Sequence, residues 1–181
     1  NHALEEHRAR ADKLREGDQH RWLSRLSWFV GDNASAEREA REALDLLEPL
    51  PPGRELAMAY SNNSQLGMLG GDTERAVTWG RKAIDLAEQL GETEILAHAL
   101  NNVGTATYQY GDGEGRALLE RSLALALDAG LEEHAARAYT NIGSAAVTLR
   151  DYATADSAHE TGMAYCRDHD LDSWLLYMSG W

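Results

Sequence analysis

Residues 140–155 read TNIGSAAVTLRDYATA, a stretch that has the pattern of a helix, a tight turn and the start of a second helix. The first half of the stretch is rich in small residues, and the tripeptide Leu149-Arg150-Asp151 follows it. An aspartate at such a turn is a favoured N-cap, because its side chain accepts a hydrogen bond from a free amide in the first turn of the next helix. The stretch therefore predicts two helices joined at Asp151.

The same pattern occurs four times along the chain. Successive turns end in an evenly spaced aspartate, namely Asp32, Asp72, Asp112 and Asp151. Eight positions before each aspartate stands a small residue, in turn Ser24, Ser64, Gly104 and Gly143. A fixed period of this length indicates a protein built from stacked units of supersecondary structure.

The segment after each aspartate carries one apolar stripe. In the first repeat the stripe consists of Ala36, Ala40, Ala43, Leu44 and Leu47. Positions with this spacing fall on one face of an α-helix. The small residues in the stripe let a neighbouring helix approach closely. The third repeat needs a deletion of one position after Asp112 to stay aligned.

We predict paired helices throughout and no sheet, because no segment shows the sustained polar–apolar alternation of a strand. The first helices fall near residues 18–30, 54–70, 93–110 and 132–149, and the second helices near 34–48, 73–90, 114–129 and 152–168. Residues 3–16 are expected to form the second helix of an earlier pair. Residues 171–181 are expected to begin a further first helix.

These residues resemble the tetratricopeptide repeat (TPR). One copy of the family's pattern is formed by Asn141-Ile142-Gly143, Tyr152 and Ala155, and a second by Asn102-Val103-Gly104 with Gly111-Asp112. The period here is longer than that of the basic TPR, which is about 34 residues. The resemblance implies an all-α fold, a right-handed α-α superhelix of about four helical hairpins with a partial helix at each end.

The resemblance covers the chain as one solenoid domain, residues 1–181, expected to be a fragment of a longer protein. Its parts are a partial hairpin at 1–16, repeats at about 17–50, 51–91, 92–130 and 131–169, and a partial helix at 171–181. Repeats of this length are similar to the TPR sensor arrays of large bacterial regulators of the LuxR or MalT-like type. Such regulators also carry a nucleotide-binding module and a helix-turn-helix.

Charge and cysteine content narrow the classes of function. The chain of 181 residues has 17 basic and 30 acidic residues and a net charge of −13. A nucleic-acid module needs a positive face, so direct nucleic-acid contact by this segment is not expected, and binding to an anionic membrane is disfavoured. The single cysteine, Cys166, suits a reducing compartment. With no signal peptide or spanning segment recognisable, we expect a cytoplasmic protein.

The sequence offers no recognisable catalytic or metal-binding set, so we expect no enzyme activity, no cofactor and no metal. The glycine-rich stretch 111–116 lacks the lysine of a phosphate loop and is predicted to be a turn. The acidic stretch 168–172 resembles the start of a calcium loop, but Ser173 and Ser179 replace the required glycine and glutamate. Cys166 falls in the apolar stripe and is predicted to be a core residue.

Two polar residues occupy predicted core positions. His159 stands where other repeats have Ala40, Gly80 and Leu119, and we expect a core histidine with a satisfied hydrogen bond, a pH- or ligand-sensitive switch being the alternative. Asn63 stands where a later repeat has Ile142. It is expected to bond to the backbone of the adjacent repeat or to be exposed by a slight rotation of its helix.

In TPR arrays the first helix of each hairpin lines a concave groove that holds peptides or helices. The groove positions implied by the resemblance are Arg21, Arg25, Trp28, Met58, Ser61, Gln65, His98, Asn101, Asn102, Thr105, Tyr108, Arg137, Thr140, Asn141 and Ser144. The groove is expected to carry these arginines with few acids, which suggests a ligand with a carboxylate or acidic side chains. Alternatively, these residues solvate a helix face or pack on the next repeat.

Asparagines recur one repeat apart at Asn62, Asn102 and Asn141, and a role in structure and a role in binding are both open for them. The predicted function is a non-enzymatic scaffold for a protein, peptide or small molecule, as the sensor segment of a larger LuxR-type transcriptional regulator. The alternative is a free-standing TPR adaptor that assembles proteins. A homodimer through the apolar residues 171–181 is a further possibility.

Overall fold

The computed structural model describes residues 2–180, with side chains described at residue 9 and from 11 to 180. The predicted all-α fold is confirmed, and no strand occurs in this part of the chain. The helices are α1 His2–Phe29, α2 Asn33–Leu47, α3 Arg54–Leu69, α4 Thr73–Leu90, α5 Thr93–Tyr108, α6 Gly113–Asp128, α7 Glu132–Leu149, α8 Tyr152–Asp168 and α9 Asp172–Met178.

The four repeated aspartates cap α2, α4, α6 and α8, as predicted. Asp32, Asp72 and Asp151 each accept a hydrogen bond from the amide three positions later, at 3.0 to 3.2 Å. Asp112 instead bonds the amide of Glu114, two positions later, at 2.9 Å. This shorter cap lies at the point where the sequence alignment required a deletion.

The predicted stripe is the buried face of the even-numbered helices. In α2 all five predicted positions are buried, and in α4, α6 and α8 four of the five are. The small residues bring backbones together: a Cβ built on Gly104 of α5 would lie 2.8 Å from the carbonyl oxygen of Gly115 in α6. The spacing between these two helices therefore depends on the missing side chain.

Helix α1 differs from the prediction. Residues 3–16 do not form a separate helix, because α1 runs without interruption from His2 to Phe29. Gly17, at the expected break, is buried inside α1, and a Cβ there would lie 2.5 Å from Cγ of Leu47. This glycine thus makes room for Leu47 of α2 and does not end a helix.

At the other end of the array, the short helix α9 packs on α7 and α8. Met178 is buried beside Ala136 and Cys166, and Trp174 and Leu175 pack against this cluster. Leu176 is exposed. The predicted helix at 171–181 is shorter in the structure, and Trp181 lies outside the described residues.

Packing between non-adjacent helices defines the inner wall. Helix α1 packs on α3, α3 on α5, α5 on α7 and α7 on α9. Among the described residues, no even-numbered helix packs directly on another even-numbered helix. The odd-numbered helices therefore form the tighter, concave side of the array. No helix within residues 2–180 has the length and apolar character needed to cross a membrane.

The unusual core residues have defined surroundings. Asn63 is buried, and its amide donates to the carbonyl oxygen of Ala59 in its own helix while its oxygen accepts from Arg75 of the same repeat, so the expected bond to the adjacent repeat and the expected exposure are both wrong. Cys166 is buried as predicted, and burial raises the pKa of its thiol. His159 lies close against Gly143, but the satisfied hydrogen bond expected for it is not seen at Nε2. Burial lowers the pKa of His159.

Candidate functional site

A cavity of about 510 Å³ opens on the concave wall, and the five odd-numbered helices supply its lining. Its lining residues are Asp18, Arg21, Trp22 and Arg25 of α1, Arg54, Glu55 and Met58 of α3, Glu94 and His98 of α5, Glu133, His134 and Arg137 of α7, and Trp174 of α9. Every repeat therefore contributes to one site. A cavity of this size falls in the range of ligand-binding clefts.

Five of the predicted groove residues line this cavity: Arg21, Arg25, Met58, His98 and Arg137. The sequence did not single out the other wall residues, four of which are carboxylates. The expectation that the groove contains few acids is therefore wrong. A periodic signal for this wall was present, because Arg54, Glu94 and Glu133 stand at equivalent positions of successive repeats.

The arginines of the cavity differ in their partners. Arg21 donates to Asp18 at 2.8 Å, and Arg54 forms ion pairs with Glu92 and Glu94. The two remaining arginines, Arg25 and Arg137, have no carboxylate within ion-pair distance in the described part of the chain.

Amide oxygens hold those two arginines in place. Arg25 donates to Oε1 of Gln65 at 3.2 Å, and Arg137 donates through Nη2 to Oδ1 of Asn102 at 2.5 Å. Arg137 is only 8% exposed, and its Nη1 is buried without a hydrogen-bond partner. Burial of a guanidinium with an unpaired donor is costly unless a partner accepts its hydrogen bond.

His98 is the second buried group with an unused nitrogen. It is 4% exposed, and its Nδ1 lies 2.6 Å from Oγ of Ser61 and 3.5 Å from Nδ2 of Asn102. Because the guanidinium of Arg137 can only donate, the oxygen of Asn102 must face Arg137 and its amide nitrogen must face His98. This arrangement makes Nδ1 the acceptor and places the proton on Nε2, which has no partner.

The local electrostatics are those of crowded positive charge. Burial, followed by the nearby Arg25, lowers the pKa of Arg137 to about 9. Burial and the neighbouring Arg137, His134, Arg25 and Arg21 hold the pKa of His98 well below its ordinary value. His98 is therefore neutral at pH 7, while Arg137 remains protonated. An anion placed here would relieve the repulsion between Arg25 and Arg137.

On the opposite part of the wall, charged side chains are paired with groups of opposite charge. Glu94 pairs with Arg54 at 2.7 Å and lies 3.8 Å from Nε2 of His134. The hydrogen bond from Arg54 is the main reason why the pKa of Glu94 is lowered. On α7, Glu133 accepts a hydrogen bond from the indole of Trp174. These contacts tie the first turns of α3, α5, α7 and α9 into a continuous rim.

The asparagine ladder lies between repeats and not on an open surface. Asn62 donates to Oγ of Ser24, Asn102 to the carbonyl oxygen of Ser61, and Asn141 to Oδ1 of Asn101, at 3.0, 2.9 and 2.6 Å. Each bond joins one odd-numbered helix to the one before it. These contacts give the asparagines a structural role, and Asn102 also orients the cavity residues His98 and Arg137.

The other predicted groove residues do not line the cavity. Tyr108 is buried in the core cluster with Leu119 and Ile142, which corrects its predicted position. Trp28 packs against Ala36, Ala40 and Leu66. The hydroxyls of three residues bond to carbonyls of their own helices, namely Thr105, Thr140 and Ser144. Ser61, Asn101 and Asn102 are buried in the seams, and Gln65 binds Arg25.

Among the side chains that the structure describes, at residue 9 and from 11 to 180, no group of three or more histidine, cysteine or carboxylate residues is placed to hold a metal ion. The Ser61–His98 pair has the residue types of a nucleophile and a base. However, Ser61 is fully buried, and within the described chain no carboxylate is hydrogen-bonded to His98 to orient it. What the cavity offers is donors to an anion and aromatic surface at Trp22 and Trp174.

Comparison with known proteins identifies the fold. No family model matches the sequence, and no curated protein matches it. Among solved structures, the chain is similar to aspartyl phosphate phosphatase F from Bacillus subtilis, with a TM-score of 0.76 and 17% identity over 92% of this chain and 44% of that one. It is also similar to a Rap protein in complex with Competence and Sporulation Factor, with a TM-score of 0.80 and 19% identity over 91% of this chain and 46% of that one.

These likenesses establish a TPR-like helical-repeat fold for this chain. The chain spans less than half the length of either solved structure. At identities this low, similarity of fold does not imply similar side chains on the concave wall. The chemistry of the site therefore follows from this chain's own residues.

Proposed function

We propose that this chain is a non-enzymatic binding scaffold that holds a negatively charged segment of a peptide or protein in its concave groove. The observation that carries the proposal is the pair Arg25 and Arg137, which face one cavity without a carboxylate partner in the described chain. Arginine is among the residues that dominate binding energy at interfaces. Two like charges near each other favour a ligand that neutralises them.

The shape of the site supports a segment of chain over a small rigid molecule. The lining extends across five helices, from Asp18 of α1 to Trp174 of α9. Trp22 is half exposed beside the cavity, with the guanidinium of Arg21 stacked 4.4 Å from the centre of its ring. An aromatic flank of this kind packs against apolar side chains of a peptide while the arginines take its charge.

The structural neighbours support the same class of function. One of them, a Rap protein, was crystallised with Competence and Sporulation Factor, so a protein of this fold does hold a partner. For the present chain, we propose a role in the cytoplasm as the sensor segment of a larger LuxR-type transcriptional regulator. Ligand binding would then bias the parent protein between two states.

A library of decapeptides tests the proposal. Screened against the protein, it should yield acidic sequences, whose affinities are then measured by fluorescence polarisation. The double variant Arg25→Ala, Arg137→Ala should weaken the selected peptides at least tenfold. The matched control is Arg116→Ala, Arg121→Ala, which removes two exposed arginines of α6 that pair with Glu120 and Glu88.

The control variant should bind within about twofold of the original protein, because its arginines lie outside the cavity. Enrichment of basic peptides, or equal binding by both double variants, would show that the groove is not the binding site. The homodimer through α9 stays a separate prediction, which analytical ultracentrifugation of the Leu176→Ser variant addresses.

A further inference from the structure

The arginine–histidine corner of the cavity defines the chemistry of its ligand more closely. We infer that Nη1 of Arg137 and Nε2 of His98 together form a seat for one carboxylate group of the ligand. This inference rests on the proposed function and names the group that the groove recognises. Its basis is that both nitrogens are buried, unpartnered and belong to residues that line the same cavity.

A single side chain contacts both of the residues that carry these donors. Asn102 accepts from Arg137 through Oδ1 and presents Nδ2 toward His98 and the carbonyl oxygen of Ser61. Both donors are therefore positioned before the ligand arrives, and their own side chains lose little further freedom on binding. Preorganisation of this kind increases affinity.

The number and charge of the donors favour a carboxylate over a phosphate. Two donor nitrogens match the two oxygens of a carboxylate, whereas a phosphate would bring further oxygens into a corner where the described cavity lining has no third buried, unpartnered nitrogen. Glu133 also acts electrostatically on Arg25. A dianion would meet this negative charge more strongly than a monoanion would.

Neutral His98 is suited to this role. The Ser61 and Asn102 contacts keep its proton on Nε2, so the ring donates a hydrogen bond to the ligand without adding a charge. The positive charge comes from Arg137 and Arg25. The seat thus combines one charged and one neutral donor, with Arg25 contributing at longer range.

Acetate is a direct probe of the seat. In an NMR titration at pH 7.5, with chloride keeping the ionic strength constant, acetate should shift the ¹⁵N resonance of His98 Nε2 in a saturable manner. Inorganic phosphate should bind more weakly. No saturable shift with acetate, or tighter binding of phosphate, would overturn the carboxylate assignment. This arm needs no variant, so it stands even where a substitution disturbs folding.

Single substitutions then test how individual charged residues affect the affinity for acetate. Arg137→Gln should weaken acetate about tenfold, because it removes a charged donor. Glu133→Gln should strengthen acetate about two- to fivefold, since it removes a repelling charge but keeps an acceptor for Trp174. Arg116→Gln is the control: Arg116 lies outside the cavity and is paired with Glu120, so acetate affinity should change less than twofold.

A pair of peptides separates this inference from the proposed function. A selected peptide is compared with the same peptide carrying asparagine or glutamine in place of its acidic residues. If both bind the groove equally, the carboxylate seat and the preference for a charged segment are wrong, and only the function as a peptide-binding scaffold remains. If no peptide binds but acetate still shifts His98, the seat is right and the peptide function is wrong.

Discussion

The side-chain amide of Asn102 donates to the main-chain carbonyl oxygen of Ser61, 2.9 Å away on the preceding odd-numbered helix. The opposite end of the same amide accepts from Arg137 on the following one. One fully buried side chain thus links α3, α5 and α7 at the floor of the cavity. Asn102 contributes to both stability and ligand recognition. Its loss would remove the hydrogen bond between α3 and α5 and would leave the guanidinium of Arg137 without its partner.

Replacing Asn102 with alanine should lower the free energy of unfolding by about 2–4 kcal/mol. The substitution removes two buried hydrogen bonds and leaves Arg137 buried with no partner at Nη2. Asn141→Ala removes one bond at a partly exposed site, so about 1 kcal/mol is expected there. Urea unfolding followed by circular dichroism measures both. Equal losses in the two variants would contradict the special position of Asn102.

The seam between α5 and α6 gives a second prediction. Gly104→Ala should destabilise by about 1–3 kcal/mol, because its new methyl group would meet the backbone of Gly115 and Leu119 at 2.8 to 3.0 Å. Backbone atoms of a packed helix cannot move aside cheaply.

Gly113→Ala is the control for this seam. Gly113 is the first residue of α6, and a Cβ there meets nothing within 4 Å. Alanine should therefore stabilise the protein by about 0.4–1 kcal/mol, through a less flexible unfolded chain. Thermal melts of both variants check the pair, and a stable Gly104→Ala protein would mean that the helices do not approach as closely as described.

The fold was predictable because its signals are local and repeated. N-capping aspartates mark where four helices begin, and the small-residue stripe marks the face that packs. The predicted separation of the helices at 3–16 and 18–30 was wrong, because a glycine that ends a helix and one that makes room for Leu47, as Gly17 does, look alike in sequence. Only the position of α2 beside α1 distinguishes the two.

The site was predictable only in part. The TPR resemblance identified arginines in the middle of the first helices, but the cavity also uses the first turns of α3, α5, α7 and α9. How far those turns reach over the groove depends on the angle between successive hairpins, which no local pattern specifies. Tyr108 was misplaced for a similar reason, since a small change in helix rotation turns a groove residue into the core.

Acid should weaken the fold through His98. Its pKa in the folded protein lies well below the unfolded value of about 6.5, so unfolding takes up a proton at lower pH. The stability that comes from neutral His98 is fully present above pH 6.5 and is lost as the pH falls below it. His134 and His159 act in the same direction, because their pKa values are also lowered.

His98→Gln isolates this contribution. Between pH 7.5 and pH 5.5 the original protein should lose about 1 kcal/mol more unfolding free energy than the variant does. Urea unfolding at the two pH values provides the measurement. The charged groups facing His98 are Arg137 and His134 of α7 and Arg25 and Arg21 of α1. All four are basic, so none of them raises the pKa of His98 and reverses the expected loss of stability in acid. Identical pH profiles would show that His98 is not held neutral in the fold.

The last prediction concerns the one repeat turn that lacks its glycine. Arg150 adopts φ 62° and ψ 23°, the left-handed conformation that Gly31, Gly71 and Gly111 adopt at the same position of the other three turns. A side chain in this region destabilises the folded protein by about 1–2 kcal/mol. Glycine removes this strain, but it also makes the unfolded chain more flexible, which cancels part of the gain. Arg150→Gly should therefore raise the free energy of unfolding by about 0.5–1 kcal/mol.

Gly71→Ala is the reciprocal control and should lower stability by about 1 kcal/mol, since it introduces a side chain at φ 74° with open space around it. Steric contact cannot explain a loss there, so the pair measures backbone conformation alone. If Arg150→Gly were destabilising in urea unfolding while Gly71→Ala behaved as expected, the Arg150 side chain would have to form a stabilising contact that outweighs its backbone strain.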